Sequence, residues 1–155
     1  MSKIDLKQQL KHLYLPSAKQ VTVVDVPEMQ FVKIDGVIGS DEAPETSKQF
    51  QEAMGALYGA SYTLKFMSKL DKVNPIDFTV MALEALWWTD SGQFSQQEKE
   101  PWYFTAMMLQ PDHISHSMFE EALVQVAEKK PGPVPFDEWH PFEGIDDDGD
   151  GDGGE

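Results

Sequence analysis

The chain has 155 residues, 41% of them hydrophobic, with four Trp and nine Phe, which suits one domain with a substantial core. It has no Cys, no run of about 18 apolar residues and no apolar leader after Met1, so disulfides, thiolate metal sites, thiol nucleophiles and a membrane partner are excluded and a cytoplasmic location is expected. The net charge is −15; six negative charges fall in Asp146–Glu155 and residues 1–145 keep −9, so phosphate backbones are repelled and no nucleic-acid partner is expected.

Leu6, Leu10 and Leu13 have helical spacing, Ser2 stands three residues before Asp5 as a cap, and Pro16 stops the segment. Val21–Val26 and then Met29–Asp35, interrupted by Pro27 and ended by Gly36, read as a bent strand or two short ones. After a polar loop over 39–45, Thr46 and Gln49 have capping-box spacing before a long helix. Its apolar face is Phe50, Ala53, Met54, Leu57, Ser61, Leu64 and Met67 or Ser68, and Gly55 and Gly59 suggest close approach of a strand. Asp77–Trp88 and Trp102–Gln110, joined by a turn-rich loop, predict an antiparallel pair closed by Pro111-Asp112. Ser115 caps a last helix with a stripe of Phe119, Ala122, Leu123 and Val126, broken by Pro131-Gly132-Pro133. A short segment, Phe136–Ile145, precedes an Asp/Gly tail over 146–155 that is too polar to fold. The expected class is α+β: an antiparallel sheet with a long helix on one face and extra helices at both ends, forming one domain over 1–145.

Several of these stretches resemble one family. Lys3-Ile4-Asp5-Leu6-Lys7, Leu10-Lys11-His12-Leu13-Tyr14 and Pro16-Ser17-Ala18-Lys19 look like the opening of a GyrI-like (gyrase-inhibitor-like) subfamily. So do Val24-Asp25-Val26-Pro27, Ile34-Asp35-Gly36, Ala56-Leu57-Tyr58, Ser61–Phe66, Leu83-Glu84, Leu86-Trp87-Trp88 and Gln110-Pro111-Asp112, in unbroken order from about residue 3 to 130. The resemblance implies a strand-helix-strand-strand module. In the family, two such modules enclose an aromatic-lined pocket. Its members sense drugs, bind toxic compounds, in some cases hydrolyse strained cyclopropane rings, and in one case inhibit DNA gyrase. The chain departs from the pattern in its longer 39–45 loop, in Ala82 where Pro is common, and in resembling only the first module.

Alternation along 79–88 sets Val80, Ala82, Glu84, Leu86 and Trp88 on one face and Thr79, Met81, Leu83, Ala85 and Trp87 on the other. Glu84 is the one ionisable residue of this apolar run. With Trp88 on its face, it suits a general acid or base, or an anchor for a cation held by cation–π contact; the alternative is a solvated edge-strand carboxylate. One of the pairs Trp102/Phe104 and Tyr103/Thr105 joins that face, and the register is open. Tyr58 and Tyr62 suit core packing, although Tyr62 can also serve a ligand. The expected ligand-binding set is Glu84, Leu86, Trp88, Tyr62, Trp102 and Phe104, with Glu84 catalytic if the protein is an enzyme. No cofactor is expected. His113 and His116 suit surface or capping roles rather than a metal, His12 is expected to be exposed, and the EF-hand-like start at Asp146, Asp148, Asp150 and Gly151 lacks its closing Glu.

These features point to binding of hydrophobic or cationic small organic molecules, with two alternatives. One is a hydrolase of strained or electrophilic compounds that uses Glu84. The other is an acidic protein-interaction or gyrase-inhibitor-like module. A single module leaves apolar surface bare, which a homodimer, or Trp139, Pro141 and Phe142 folding back, would cover.

Overall fold

The computed structural model describes residues 3–94 and 99–129. The expectations for Ser2, for Pro131–Pro133, for Phe136–Ile145 and for the acidic tail lie outside these residues. In chain order the elements are α1 (Leu6–Gln9), α2 (Lys11–Tyr14), β1 (Gln30–Ile38), α3 (Lys48–Lys69), β2 (Glu84–Trp88), β3 (Trp102–Gln110) and α4 (His116–Lys129). The strands form an open antiparallel sheet in the order β1-β3-β2. The α+β class and the long helix on one face are therefore as expected.

The core follows from strand alternation. Residues directly opposite each other share a face, so Val32 with Met108, Ile34 with Ala106, Gly36 with Phe104 and Ile38 with Trp102 line the inner side. There α3 contributes Phe50, Ala53, Leu57, Ala60, Ser61, Leu64 and Ser68, all buried, at the three- and four-residue steps of a helix face. Helix α4 packs beside α3 through Phe119 and Ala122. Ser115 caps its start by accepting from the Met118 amide at 3.2 Å. A Lys65–Asp77 ion pair at 2.9 Å ties α3 to the segment before β2, and the same ammonium donates to the Phe78 carbonyl.

Five local expectations are corrected. Val21–Val26 forms no strand: Val21 and Val23 are fully exposed, and no edge among the described residues pairs with them. Strand β1 runs through Gly36 to Ile38, because Phe104 across from Gly36 fills the space its missing side chain leaves. The cap of α3 is Ser47, whose hydroxyl accepts from the Phe50 amide at 3.3 Å, while Thr46 closes the turn onto Ala43. Only Glu84–Trp88 of the 77–88 run joins the sheet; Phe78 instead makes an isolated parallel bridge with Ile4. Finally, a Cβ at Gly55 or Gly59 would meet nothing within 4 Å, so neither glycine marks a close approach.

The N-terminal stripe also splits. Two short helical turns meet at Leu10, and the first is capped by Asp5, which accepts from the Lys7 amide. Leu6, Leu10 and Tyr14, four residues apart, pack onto the outer side of the sheet against Phe31, Met81, Met107 and Leu109.

Candidate functional site

The outer face of the sheet is a grid fixed by the register. Its rows are Lys33–Met107–Glu84, Asp35–Thr105–Leu86 and Val37–Tyr103–Trp88, reading from β1 across β3 to β2. The N-terminal turns cover the Glu84 end. The other end is bare: Leu86 is 48% exposed, Trp88 45% and Val37 39%. Glu84 stands half-buried where the covered and bare parts meet.

Polar groups brace this face. The Tyr14 hydroxyl donates to Glu84 Oε2 at 3.1 Å. Burial, and then the charge and hydrogen bond of Glu84, push the Tyr14 phenol well above its ordinary pKa, so it stays a donor at neutral pH. Lys33 pairs with Asp35 at 3.5 Å, and the Thr105 hydroxyl donates to the same carboxylate. Tyr103 stacks on Trp88, with ring centroids 6.0 Å apart, and donates to Asp90 Oδ2 at 3.1 Å. That bond to Asp90, reinforced by the carboxylate's charge, raises the Tyr103 pKa. On the strand grid and the turn after it, Glu84, Asp35 and Asp90 stand against Lys33 among the described residues, a balance that favours positive ligands.

Glu84, Leu86 and Trp88 do share one face, as alternation requires, but Glu84 and Trp88 lie four residues apart, about 13 Å along the strand at 3.3 Å per residue. The carboxylate and the indole are therefore the two ends of a strip with Leu86 between them. The register brings Tyr103 and Thr105 to this strip, and it corrects the assignment of Trp102 and Phe104. Phe104 is fully buried on the inner side, 5.1 Å from Phe50 and 5.5 Å from Trp87 between ring centroids. Trp102 is on the inner side too, edge-on to Trp87. Tyr62 lies on α3, on the opposite side of the sheet from Glu84, and is about half exposed. Sequence reasoning missed Tyr14; its signal was the four-residue spacing Leu6–Leu10–Tyr14, overshadowed by the apolar Leu13.

Elsewhere, His113 Nε2 lies 2.8 Å from the Ser68 hydroxyl, which itself donates to the Ile76 carbonyl at 2.6 Å. With the serine proton so committed, the imidazole is the donor and the pair braces the loop rather than forming a nucleophile. His116 pairs with Glu120 on the exposed side of α4, and His12 is exposed. Among the described residues, no group of three or more His, Asp or Glu converges as a metal site. An open hollow of about 460 Å³ lies beyond the Val37 corner, lined by Val37, Gly39, Glu42, Lys48, Gln49 and Glu52; none of the expected ligand residues lines it. No helix of the described residues is long and apolar enough to cross a membrane.

No protein-family model and no curated protein matches the chain. Three crystal structures of Listeria innocua proteins share its fold. One, an uncharacterised conserved protein, is 31% identical with a TM-score of 0.72, over 89% of this chain and 65% of its own. A hydrolase is 32% identical with a TM-score of 0.69, over 90% of this chain and 65% of its own. A further hydrolase structure is 33% identical with a TM-score of 0.64, over 83% of this chain and 59% of its own. The chain thus spans under two thirds of the length of each.

Proposed function

We propose that the protein binds small organic molecules with an apolar body and a cationic end along the outer strip of β2, as a GyrI-like module. The observation that carries this is the half-buried Glu84, held by Tyr14 at one end of the exposed surface of Leu86 and Trp88. An aromatic body lies on Leu86 and Trp88, and the positive end meets the carboxylate. Trp88, already stacked with Tyr103, offers a flat face for a planar ligand. A second copy of the chain, related by a twofold axis, would cover the bare face and enclose the ligand.

A hydrolase is the second reading, favoured by the two Listeria neighbours that are hydrolases. Glu84 would then take a proton from a water whose oxygen attacks a strained or electrophilic ring carbon, while the strip orients the ring. The ring bond at that carbon breaks, its electron pair stays on the departing ring atom, and that atom receives the proton back from Glu84.

Amide NMR with 2-naphthylmethylammonium tests the binding reading. Shifts are expected at Glu84–Trp88 and Tyr103–Met107, and Glu84→Gln should move them to higher ligand concentration. Shifts confined to α3 or α4 would overturn it. Turnover of electrophilic ring compounds that is lost in Glu84→Gln would move the conclusion to the hydrolase.

A further inference from the structure

We propose that Tyr14 is a positioning residue for Glu84 and that it makes the site selective for ligands presenting an N–H donor, protonated amines above all. This rests on the ligand-binding reading of the Glu84 strip.

Facing a carboxylate, a phenol can only donate. The Tyr14 hydroxyl therefore commits Glu84 Oε2 and orients the carboxylate, while no hydrogen bond among the described residues engages Oε1. The donor is itself anchored: Tyr14 packs with Leu6 and Leu10 on the cluster of Phe31, Met81, Met107 and Leu109. An anchored donor holding a half-buried carboxylate leaves one directed acceptor at the edge of an exposed apolar strip. Lys33, the cation of the same row, is separated from Glu84 by Met107 and paired with Asp35 at 3.5 Å. Among the described residues no side chain on the grid donates to Oε1, which leaves it open to a ligand's donor.

A fixed acceptor distinguishes two kinds of cation. Coulombic attraction to a quaternary ammonium needs no orientation, whereas an N–H bond is directional and gains from an acceptor whose freedom is already lost. A primary ammonium should exploit Tyr14; its trimethylated counterpart should not.

The test uses the full chain and three probes with one aromatic body: 2-naphthylmethylammonium, its N,N,N-trimethyl analogue and neutral 2-naphthylmethanol. Calorimetric titration of the unsubstituted protein should give roughly tenfold tighter binding of the primary ammonium than of the trimethyl analogue, the scale of one charge-assisted hydrogen bond. In Tyr14→Phe, which keeps the ring in its cluster, that ratio should fall by about threefold or more while the trimethyl affinity stays within about twofold. Glu84→Gln should weaken both cations and spare the alcohol. A ratio unchanged or enlarged in Tyr14→Phe overturns the positioning role while leaving the binding site standing. A uniform weakening of all three probes assigns Tyr14 to packing alone and overturns it as well. If neither ammonium binds, or Glu84→Gln binds them as well as the unsubstituted protein does, the binding reading falls and this inference falls with it.

Discussion

Gly36 and Phe104 face each other across β1 and β3, and the ring leaves room there for hydrogen only. A Cβ on Gly36 would lie 2.4 Å from Phe104 Cζ and 2.7 Å from Cε1. The ring has nowhere to go, since it is fully buried between Phe50 and Trp87. Gly36 has no positive φ, so alanine fits its backbone, and the penalty of Gly36→Ala is steric. Overpacking of this kind costs about 1–3 kcal/mol, and the stiffer unfolded chain returns about 0.4–1 kcal/mol. A net loss of about 1–2 kcal/mol follows. Phe104→Leu removes the clashing ring atoms and costs about 1–2 kcal/mol by itself, less than the 3–5 kcal/mol typical of Phe→Ala. With the ring gone, Gly36→Ala becomes neutral or slightly favourable, so the double variant should be more stable than the sum of the singles by about 1–2 kcal/mol. Urea unfolding followed by fluorescence of Trp87 and Trp102, which pack at this core, measures the cycle. With a slope of about 2 kcal/mol per molar, Gly36→Ala should lower the midpoint by about 0.5–1 M. Additivity within about 0.5 kcal/mol would refute the steric argument.

Two further outcomes are expected. Burial pushes the His113 imidazole below its ordinary pKa, the nearby Asp112 only partly opposing this, so the folded protein holds it neutral while the unfolded chain protonates near pH 6.5. Its stabilising contribution is thus full above about pH 6.5 and is lost as the pH falls below it; the melting temperature of His113→Gln should change less between pH 7 and 5.5 than that of the unsubstituted protein, and parallel curves would contradict this. If a second copy covers the outer face, light scattering should give twice the chain mass at high concentration, with Leu86→Asp shifting the species toward one chain; a single-chain mass at every concentration would contradict that arrangement.

How far the fold could be read depended on whether a segment carries its own instructions. Helix α3 did, because its apolar residues recur at helical steps over six turns. Strand β3 did as well, bounded by Pro101 and by Pro111-Asp112. Val21–Val26 has the β-branched composition of a strand, yet a strand also needs an edge to pair with, and composition is silent on that. The same gap hid the orientation of Trp102 and Phe104: parity divides β3 into two faces but does not say which is inner until the register is known. One local signal did exist. A glycine in the middle of β1 asks for a large ring on the partner strand, and matching Gly36 to Phe104 would have placed both Phe104 and Trp102 inside. Tyr14 and Glu84 are separated by 70 residues, and nothing in either neighbourhood announces the bond between them.

Parity along these strands also separates stability from recognition. At even-numbered positions of β1 and β3 the side chains meet α3, and loss of volume there is paid throughout the core, as for Phe104 with its aromatic neighbours. Odd-numbered positions of the same strands, and even-numbered ones of β2, belong to the outer grid. At its bare end a substitution removes little buried area, so Leu86, Trp88 and Val37 can vary with little effect on folding. Glu84 is the exception, since it is half-buried and bonded to a residue of the N-terminal cluster. A ligand that engages its free oxygen therefore also loads Tyr14 and the two helical turns behind it. Binding at the strip should accordingly slow hydrogen exchange at Leu10–Leu15, where the helical turns are short and only partly buried, before it changes exchange in β3, whose amides already sit between two partner strands.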